Sequence, residues 1–308
     1  MEIREVTGAD RETLIALLEL PSEFGRTADE KLLGGFDELG QLRTGVGLVR
    51  QSSGRSQLAP SASLFVTQQL GLEPALLLLL IDAAVALAGR LGCVYVQVLS
   101  YASVWDQALV ASGFEPTTEA LTLSASTNHP AVGSDDLMSL ESPGFASDSI
   151  LVRVPPGNEV RLVELVEKTY EGSDDAWSAP AGESAEDHLA RLQQQSDSDS
   201  LWFVIRDHDR DAGVMLFGTD QRVSAVLLYL GLVPSARGKG LARRALREAF
   251  GILQKRQIDS VLVQVAAAND AANRTYSSQG FVELRRGTLF VRSIPNEPMK
   301  HRGKAHSR

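Results

Sequence analysis

The stretch Leu230–Gly–Leu–Val–Pro–Ser–Ala–Arg237–Gly238–Lys239–Gly240–Leu241–Ala242, followed by Arg243–Arg–Ala–Leu–Arg–Glu–Ala–Phe250, decides how this chain is read. The apolar run from Val226 to Val233 predicts a strand that stops at Pro234. A short Gly-rich turn follows, and a helix opens at about Gly240. Strand, turn and helix N-terminus in that order suit an anion. The first amides of a helix lack intrahelical acceptors, and the positive end of the helix dipole lies behind them. Gly238 and Gly240 would let the backbone approach a phosphate with no Cβ in the way.

The order Arg237-x-x-Gly240-x-Ala242 narrows the choice. A dinucleotide fingerprint needs G-x-G-x-x-G, and a Walker loop needs Lys followed by Ser or Thr; neither is present here. The pattern resembles the pyrophosphate loop of the GCN5-related N-acetyltransferase (GNAT) superfamily, Q/R-x-x-G-x-G/A after a strand ending in Val and Pro. Further on, Asn269–Asp–Ala–Ala272–Asn–Arg–Thr–Tyr276–Ser–Ser–Gln–Gly280–Phe281 matches that family's N-x-x-A-x-x-x-Y-x-x-x-G-F pattern. The resemblance covers Ser149 to Ile294 and implies acetyl-CoA as acyl donor, with no metal.

It also implies roles. Backbone amides of Arg237, Gly238, Lys239, Gly240, Leu241 and Ala242 would hold the pyrophosphate. The strand edge at Leu232 and Val233 would pair with the pantetheine arm, the Val233 N–H polarising the thioester carbonyl. Asn269 would bond the pantetheine, and Tyr276 would protonate the departing thiolate. Two plainer readings stand beside these: Tyr276 as a packed helix residue, and Arg237 as a solvated loop charge.

Composition bounds the rest. The chain has 308 residues, comfortable for two domains, and a net charge of −9, which argues against a general nucleic-acid or anionic-membrane binder. The single cysteine, Cys93, sits in the strand-like run Cys93–Val98 and reads as a buried structural thiol. The start, Met–Glu–Ile–Arg–Glu, has no signal-peptide character. The apolar stretch Pro74 to Ala88 contains Asp82 and is short for a membrane span, so a cytoplasmic location is expected.

In chain order, Ile3–Val6 predicts a strand and the next residues a helix with Thr7 as N-cap and Asp10 at the capping-box position. Pro21 to Arg43 predicts one or two short helices. Strands are expected at Gly45–Gln51 and Leu58–Val66, a helix from Pro74, a strand at Cys93–Leu99, a short helix near Ser103–Ser112 and a strand from Phe114 to Leu123. The Ser-, Pro- and Gly-rich segment after that is a linker, giving domains at 1–124 and 149–294, a linker at 125–148 and a basic polar tail at 295–308. The second half repeats the order: strand, helix, acidic loop, helix, the hairpin around Asp207–Asp211, the organising strand and helix, then Ser260–Ala266, the helix Asp270–Gln279 and strands over Phe281–Ile294.

A shift of 167 positions puts Val261–Leu–Val–Gln–Val265 on Val94–Tyr–Val–Gln–Val98 and Gly280–Phe281 on Gly113–Phe114. The chain therefore reads as an α/β protein with a mixed sheet in two tandem acyl-CoA N-acyltransferase (GNAT) domains, a layout similar to that of mycothiol synthase. Under the same shift Arg237 becomes Leu70, Gly240 becomes Glu73, Asn269 becomes Ala102 and Tyr276 becomes Leu109, so the first copy reads as degenerate. The shift also sets Leu76, Leu77 and Leu80 opposite Arg243, Arg244 and Arg247. A leucine face at that place needs a cover, from the other domain or from a second copy of the chain in a homodimer.

The general base has no candidate in this reading. Val223 to Val233 carries no acid, and Tyr229 is its nearest titratable group. Asp174, Asp175, Glu183 and His188 lie in or after the acidic loop, with His188 expected on a helix surface. The reaction implied is direct transfer from acetyl-CoA to a small-molecule or peptide amine. An acetyl-CoA sensor or scaffold without turnover, or use of another acyl-CoA, stays open.

Overall fold

The computed structural model describes residues 2–18, 20, 28–51, 60–66, 73–128, 149–155, 160–173, 184–194, 201–220 and 224–295. They pack as two units. One holds the described residues up to Thr117 together with those from Leu289 onward; the other runs from Thr118 to Thr288. Among the described residues no helix is long and apolar enough to cross a membrane.

The first unit is built from β1 (Glu2–Glu5), α1 (Ala9–Leu17), β2 (Glu30–Phe36), β3 (Leu42–Gln51), β4 (Ser61–Val66), α2 (Pro74–Arg90), β5 (Tyr95–Ser100) and α3 (Ser103–Ala111). Strands β1 to β4 pair antiparallel in sequence order, and β5 joins β4 in parallel. A parallel neighbour needs a crossover, and α2 supplies it. Two expectations fail here. The cap of α1 is Gly8 at φ 63°, with no side-chain cap bond, so Thr7 is not the N-cap. Strand β2 occupies the segment read as short helices. Its Gly34–Gly35 pair lets neighbours close in: a Cβ at Gly34 would lie 2.6 Å from Leu42 and Val6 side-chain carbons, and one at Gly35 2.7 Å from Leu76. A Gly–Gly pair, which usually weakens a strand, is here a close-packing device inside one.

The second unit contains β7 (Leu151–Arg153), α4 (Val160–Tyr170), α5 (Ala185–Gln194), β8 (Leu201–Asp207), β9 (Arg210–Asp220), β10 (Ser224–Leu232), a 3₁₀ turn (Pro234–Ala236), α6 (Leu241–Lys255), β11 (Ser260–Ala266) and α7 (Asp270–Ser277). Strands β7 to β10 are antiparallel, β10 and β11 parallel, with α6 as the crossover. Two long strands, β6 (Glu115–Ser126) and β12 (Val282–Ser293), each begin in one unit and end in the other.

The ends of those strands are exchanged. Residues 120–126 of β6 pair antiparallel with β11 of the second unit. The far end of β12 lies in the first unit, with Phe290 in its core and the Ile294 N–H donating to the Val94 carbonyl at 2.7 Å. The equivalent bond in the second unit runs from the Thr127 N–H to the Asp259 carbonyl, 2.9 Å. Each half of the sequence thus supplies the last strand of the other half's core.

The internal repeat is present, but one shift does not describe it. Around α3 and α7 a shift of 167 holds: the N-caps are Ala102 and Asn269, and Gly113 and Gly280 share positive φ. In the crossover helix the buried set Leu76, Leu80, Ile81, Ala84, Val85 and Ala88 falls on Leu241, Ala245, Leu246, Ala249, Phe250 and Leu253, a shift of 165. The parallel strands agree, since Tyr95 and Ser260 occupy equivalent ladder positions. The second unit carries the difference in the turn at Ala267 and Ala268. The five-residue match of β5 to β11 was therefore slipped by two, a slip that keeps every side chain on its own face of the sheet.

This overturns the leucine-face expectation. Two residues along a helix is about 200°, so a slip of two places buried positions opposite exposed ones. Leu76, Leu77 and Leu80 lie in the first unit's own core with Leu33, Val46, Leu48 and Val96. Two of their true counterparts, Leu241 and Ala245, lie in the second core, and no outside cover is required.

Candidate active site

Strand β10 is the spine of the site. Its pairing with β9 slips at a bulge between Leu227 and Tyr229, which exchanges the faces its side chains point to. Its parallel pairing with β11 covers only Ser224–Leu227 against Ser260–Val263. Beyond Leu227 the two strands diverge, leaving the far part of the β10 edge with no ladder partner in β11.

Which amides line that edge follows from ladder alternation. The Val233 N–H donates to the Ala212 carbonyl at 2.9 Å, on the β9 side. In an antiparallel ladder, hydrogen-bonded pairs recur every second residue. Gly231 and Tyr229 therefore also face β9, while Leu230 and Leu232 turn their N–H groups toward the open edge. The Leu232 carbonyl confirms the direction by accepting from Arg237 Nε at 3.0 Å. Val233 thus cannot fill the carbonyl-polarising place expected of it, because its N–H is already used. Leu230, given no role in the sequence reading, turns its N–H toward the open edge. Parity could have warned of this, since Leu232 and Val233 are adjacent and cannot both face one edge.

The turn after β10 leads into α6. Gly238 and Gly240 have φ of 74° and 75°, the left-handed region that favours glycine, and a Cβ on either would meet nothing within 4 Å. Gly240 is the N-cap and brings no capping side chain. The first helical bond shown is Arg244 N–H to Gly240 carbonyl, so the amides of Leu241, Ala242 and Arg243 have no acceptor within the helix. Leu241 is buried in the core and anchors the turn.

The Arg237 guanidinium is not a solvated charge, and the Arg237 N–H donates to the Pro234 carbonyl at 3.2 Å. Besides the Leu232 carbonyl, its guanidinium donates to the carbonyls of Gly172 (2.8 Å) and Thr169 (2.9 Å) at the C-terminal end of α4. A cation on the last carbonyls of a helix is favoured by the dipole. The residue ties α4 to β10. Lys239 points to Asp207, 3.8 Å away and exposed, an ion pair of little energetic weight.

Helix α7 brings the second motif. Asn269 caps it, Oδ1 accepting from the Ala272 N–H at 3.1 Å, and its Nδ2 group takes no part in the cap. Asn273 Nδ2 donates to the carbonyls of Ala266 and Ala267, fixing the turn that follows β11. The Tyr276 ring is buried 5.3 Å from that of Phe281. It belongs to the same apolar cluster as Leu241, with Leu230, Leu232 and Ala272 packed against that cluster. Turn, open edge and Tyr276 are thus gathered on one side of β10.

The other side of β10 carries a polar aromatic cluster. Thr169 donates to the Val166 carbonyl at 2.6 Å, so the hydrogen it shares with Tyr229, also 2.6 Å, comes from the tyrosine. His188 is buried, contrary to the expected helix surface; its ring lies edge-on to Tyr229 at 5.1 Å and stacks with Tyr170 at 5.9 Å. Its Nδ1 is hydrogen-bonded to the Tyr170 hydroxyl, and its Nε2 is buried without a partner. Burial, helped by the Arg191 charge, lowers its pKa to about 3. The period of α5 could have shown this inward face, since Ala185, His188, Leu189 and Leu192 recur at helical spacing and all are buried. Asp174, Asp175 and Glu183 lie outside the described residues.

Residues 164–281 match the Acetyltransferase (GNAT) family. A GCN5-related N-acetyltransferase from Sphaerobacter thermophilus has a similar structure, with TM-score 0.60 at 17% identity over 95% of each chain. A tandem GNAT protein from the clavulanic acid biosynthesis pathway aligns at TM-score 0.62 and 14% identity, over 96% of this chain and 99% of that one. A glucosamine N-acetyltransferase region of a fungal multi-domain β-N-acetylglucosaminidase gives TM-score 0.65 and 13% identity, covering 94% of this chain and 38% of the other. No curated protein is a significant sequence match. The family match lies in the second half of the chain, and over nearly its whole length the chain has the fold of a tandem GNAT protein.

Proposed function

We propose that the second unit transfers an acetyl group from acetyl-CoA to an amine by direct attack in a ternary complex. The observation that carries this reading is the open edge of β10 at Leu230 and Leu232, which shares one side of the strand with the Gly240 turn and Tyr276. Amides from Gly238 to Ala242 would hold the pyrophosphate at the positive end of α6. The Leu232 edge would pair with the pantetheine arm, with Asn269 Nδ2 as a further donor. The Leu230 N–H would then lie against the thioester oxygen and stabilise the charge that develops there. Tyr276 would give its proton to the sulfur as the C–S bond breaks. Cys93 does not suit an acetyl carrier, because it is buried in the first unit's core and burial raises its thiol pKa.

Free-thiol release from acetyl-CoA, measured with a panel of n-butylamine, glucosamine and a lysine-bearing peptide, tests the reading. Amine-dependent thiol release and an acetylated amine by mass spectrometry are expected. Tight acetyl-CoA binding without turnover would favour a sensor, and faster turnover of a longer acyl-CoA would change the donor.

A further inference from the structure

The transfer leaves one proton without a destination. When a neutral amine adds to the thioester, the tetrahedral adduct carries a positive nitrogen that must lose a proton as sulfur leaves. Strand β10 carries no carboxylate to take it. The candidate groups are on the strand face opposite Tyr276.

We propose that Tyr170 and His188 are the proton-accepting pair of this site: the Tyr170 oxygen takes the proton from the amine nitrogen while its own proton passes to Nδ1 of His188. This rests on the acetyl-transfer reading above. The balance closes. The N–H and the Tyr170 O–H bonds break, and a new O–H and Nδ1–H bond form. The C–S electron pair leaves on sulfur, which takes the Tyr276 proton, and solvent restores both side chains after release.

Three observations carry it. The end of α4 lies against the open part of β10, since a Cβ on Gly231 would come within 2.8 Å of Thr169 Oγ1. Gly231 separates Leu230 from Leu232, and Tyr170 is the next residue after Thr169, half-buried at the helix end. Tyr170 is already bonded to His188 Nδ1, with the two rings stacked 13° from parallel. The third is His188 Nε2, buried and unpartnered. A histidine kept only for structure is ordinarily bonded wherever it is buried, because an unsatisfied polar atom costs about 1–3 kcal/mol.

Burial keeps His188 neutral at neutral pH, with Nδ1 already engaged by the Tyr170 hydroxyl, and makes the imidazole a weak base that returns its proton to solvent readily. Among the described residues, the titratable and charged groups facing the imidazole are Tyr170 from α4, Tyr229 from β10, and Arg191 on its own helix. Asp187 on that helix is held by Ser184.

Tyr170→Phe keeps the ring stack and removes only the relay oxygen, and His188→Leu removes the acceptor. Both are to be measured by thiol release with the best amine of the panel, beside calorimetric acetyl-CoA affinity. A fall in kcat of about 10²-fold is expected, with affinity within twofold, and with Tyr170→Phe recovering as pH rises and solvent takes over the proton. Wild-type kcat at every pH in Tyr170→Phe overturns the pair alone. A wild-type protein that binds acetyl-CoA yet acetylates no amine overturns the transfer reading and the pair with it.

Discussion

The crossover helices of the two units start differently on equivalent cores. In the second unit α6 opens at Gly240, in left-handed backbone, after a turn with a second left-handed glycine. In the first unit α2 is capped by Glu73 in extended backbone, with Pro74 in the first turn. Matched by their buried faces, α2 begins two residues earlier, so helix stands where the second unit has the end of its glycine turn. The preceding strands differ in the same sense: β10 is bulged, while β4 pairs with β3 in unbroken register from Ser61 to Val66. One fold keeps its packing in both places, and among the described residues only the second unit has the bulged strand and the left-handed glycine turn before the helix. Irregular turns and bulges cost stability and persist where something uses them.

The sharpest way to break the comparison is to test its register. Leu80 is fully buried and equivalent to Ala245, whereas Leu79 is half-exposed and equivalent to Arg244. Leu80→Arg should prevent the first unit from folding, since a buried unpaired charge costs more than a domain's few kcal/mol. Leu79→Arg should shift stability by no more than about 0.5 kcal/mol. Equal effects in thermal unfolding would undo the register.

Transplanting the first unit's cap is next in size. Gly240→Glu puts a side chain at φ 75° and a carboxylate where a pyrophosphate is proposed. Acetyl-CoA affinity measured by calorimetry should fall by about 10³-fold or more, with the helical circular dichroism retained. Unchanged affinity in the folded variant would remove the anion role of the turn.

Tyr276 corresponds to Leu109, fully buried in the first unit, so the hydroxyl is what the second copy adds at this place. Tyr276→Phe should lower kcat by about ten- to ten-thousand-fold and leave acetyl-CoA affinity alone. Wild-type turnover would make it a packing residue, as its counterpart is.

The smallest expected difference is in acid. Residues 1–128 contain no histidine, whereas the second unit buries His188. Its pKa is lowered from 6.5 to about 3, so the unfolded chain takes up a proton that the fold does not. Stability present above pH 6.5 is lost as pH falls toward 3, by about 2 kcal/mol between pH 7 and 5. Denaturant unfolding of the second unit should weaken over that range, and His188→Leu should flatten the dependence. A wild-type curve flat to pH 5 would contradict it.

Much of this was legible from local pattern. Gly238, Gly240, Asn269 and Tyr276 sit where a turn, a cap and an apolar helix face demand them, and each signal is contained in a few consecutive residues. The crossover helices and the strands beside them followed from apolar runs, and the existence of a repeat from the match of Val261–Val265 to Val94–Val98. The strand at Glu30–Phe36 did not, because Gly–Gly reads as a break until its neighbours are known.

What the tertiary structure decided is everything that depends on partners distant in sequence. The period of a strand cannot tell a register from one slipped by two, and only the buried faces of α2 and α6 separate shifts of 165 and 167. Nothing in β6 or β12 announces that their ends complete each other's units, since both read as ordinary alternating strands. The bulge at Leu227–Tyr229 arises from pairing with β9, and through it Leu230 faces the open edge while Val233 does not. His188 is one polar residue on an amphipathic helix until α4 and β10 close around it. Sequence determines which residues can form each element; which atoms stay unpaired is settled only when the elements meet.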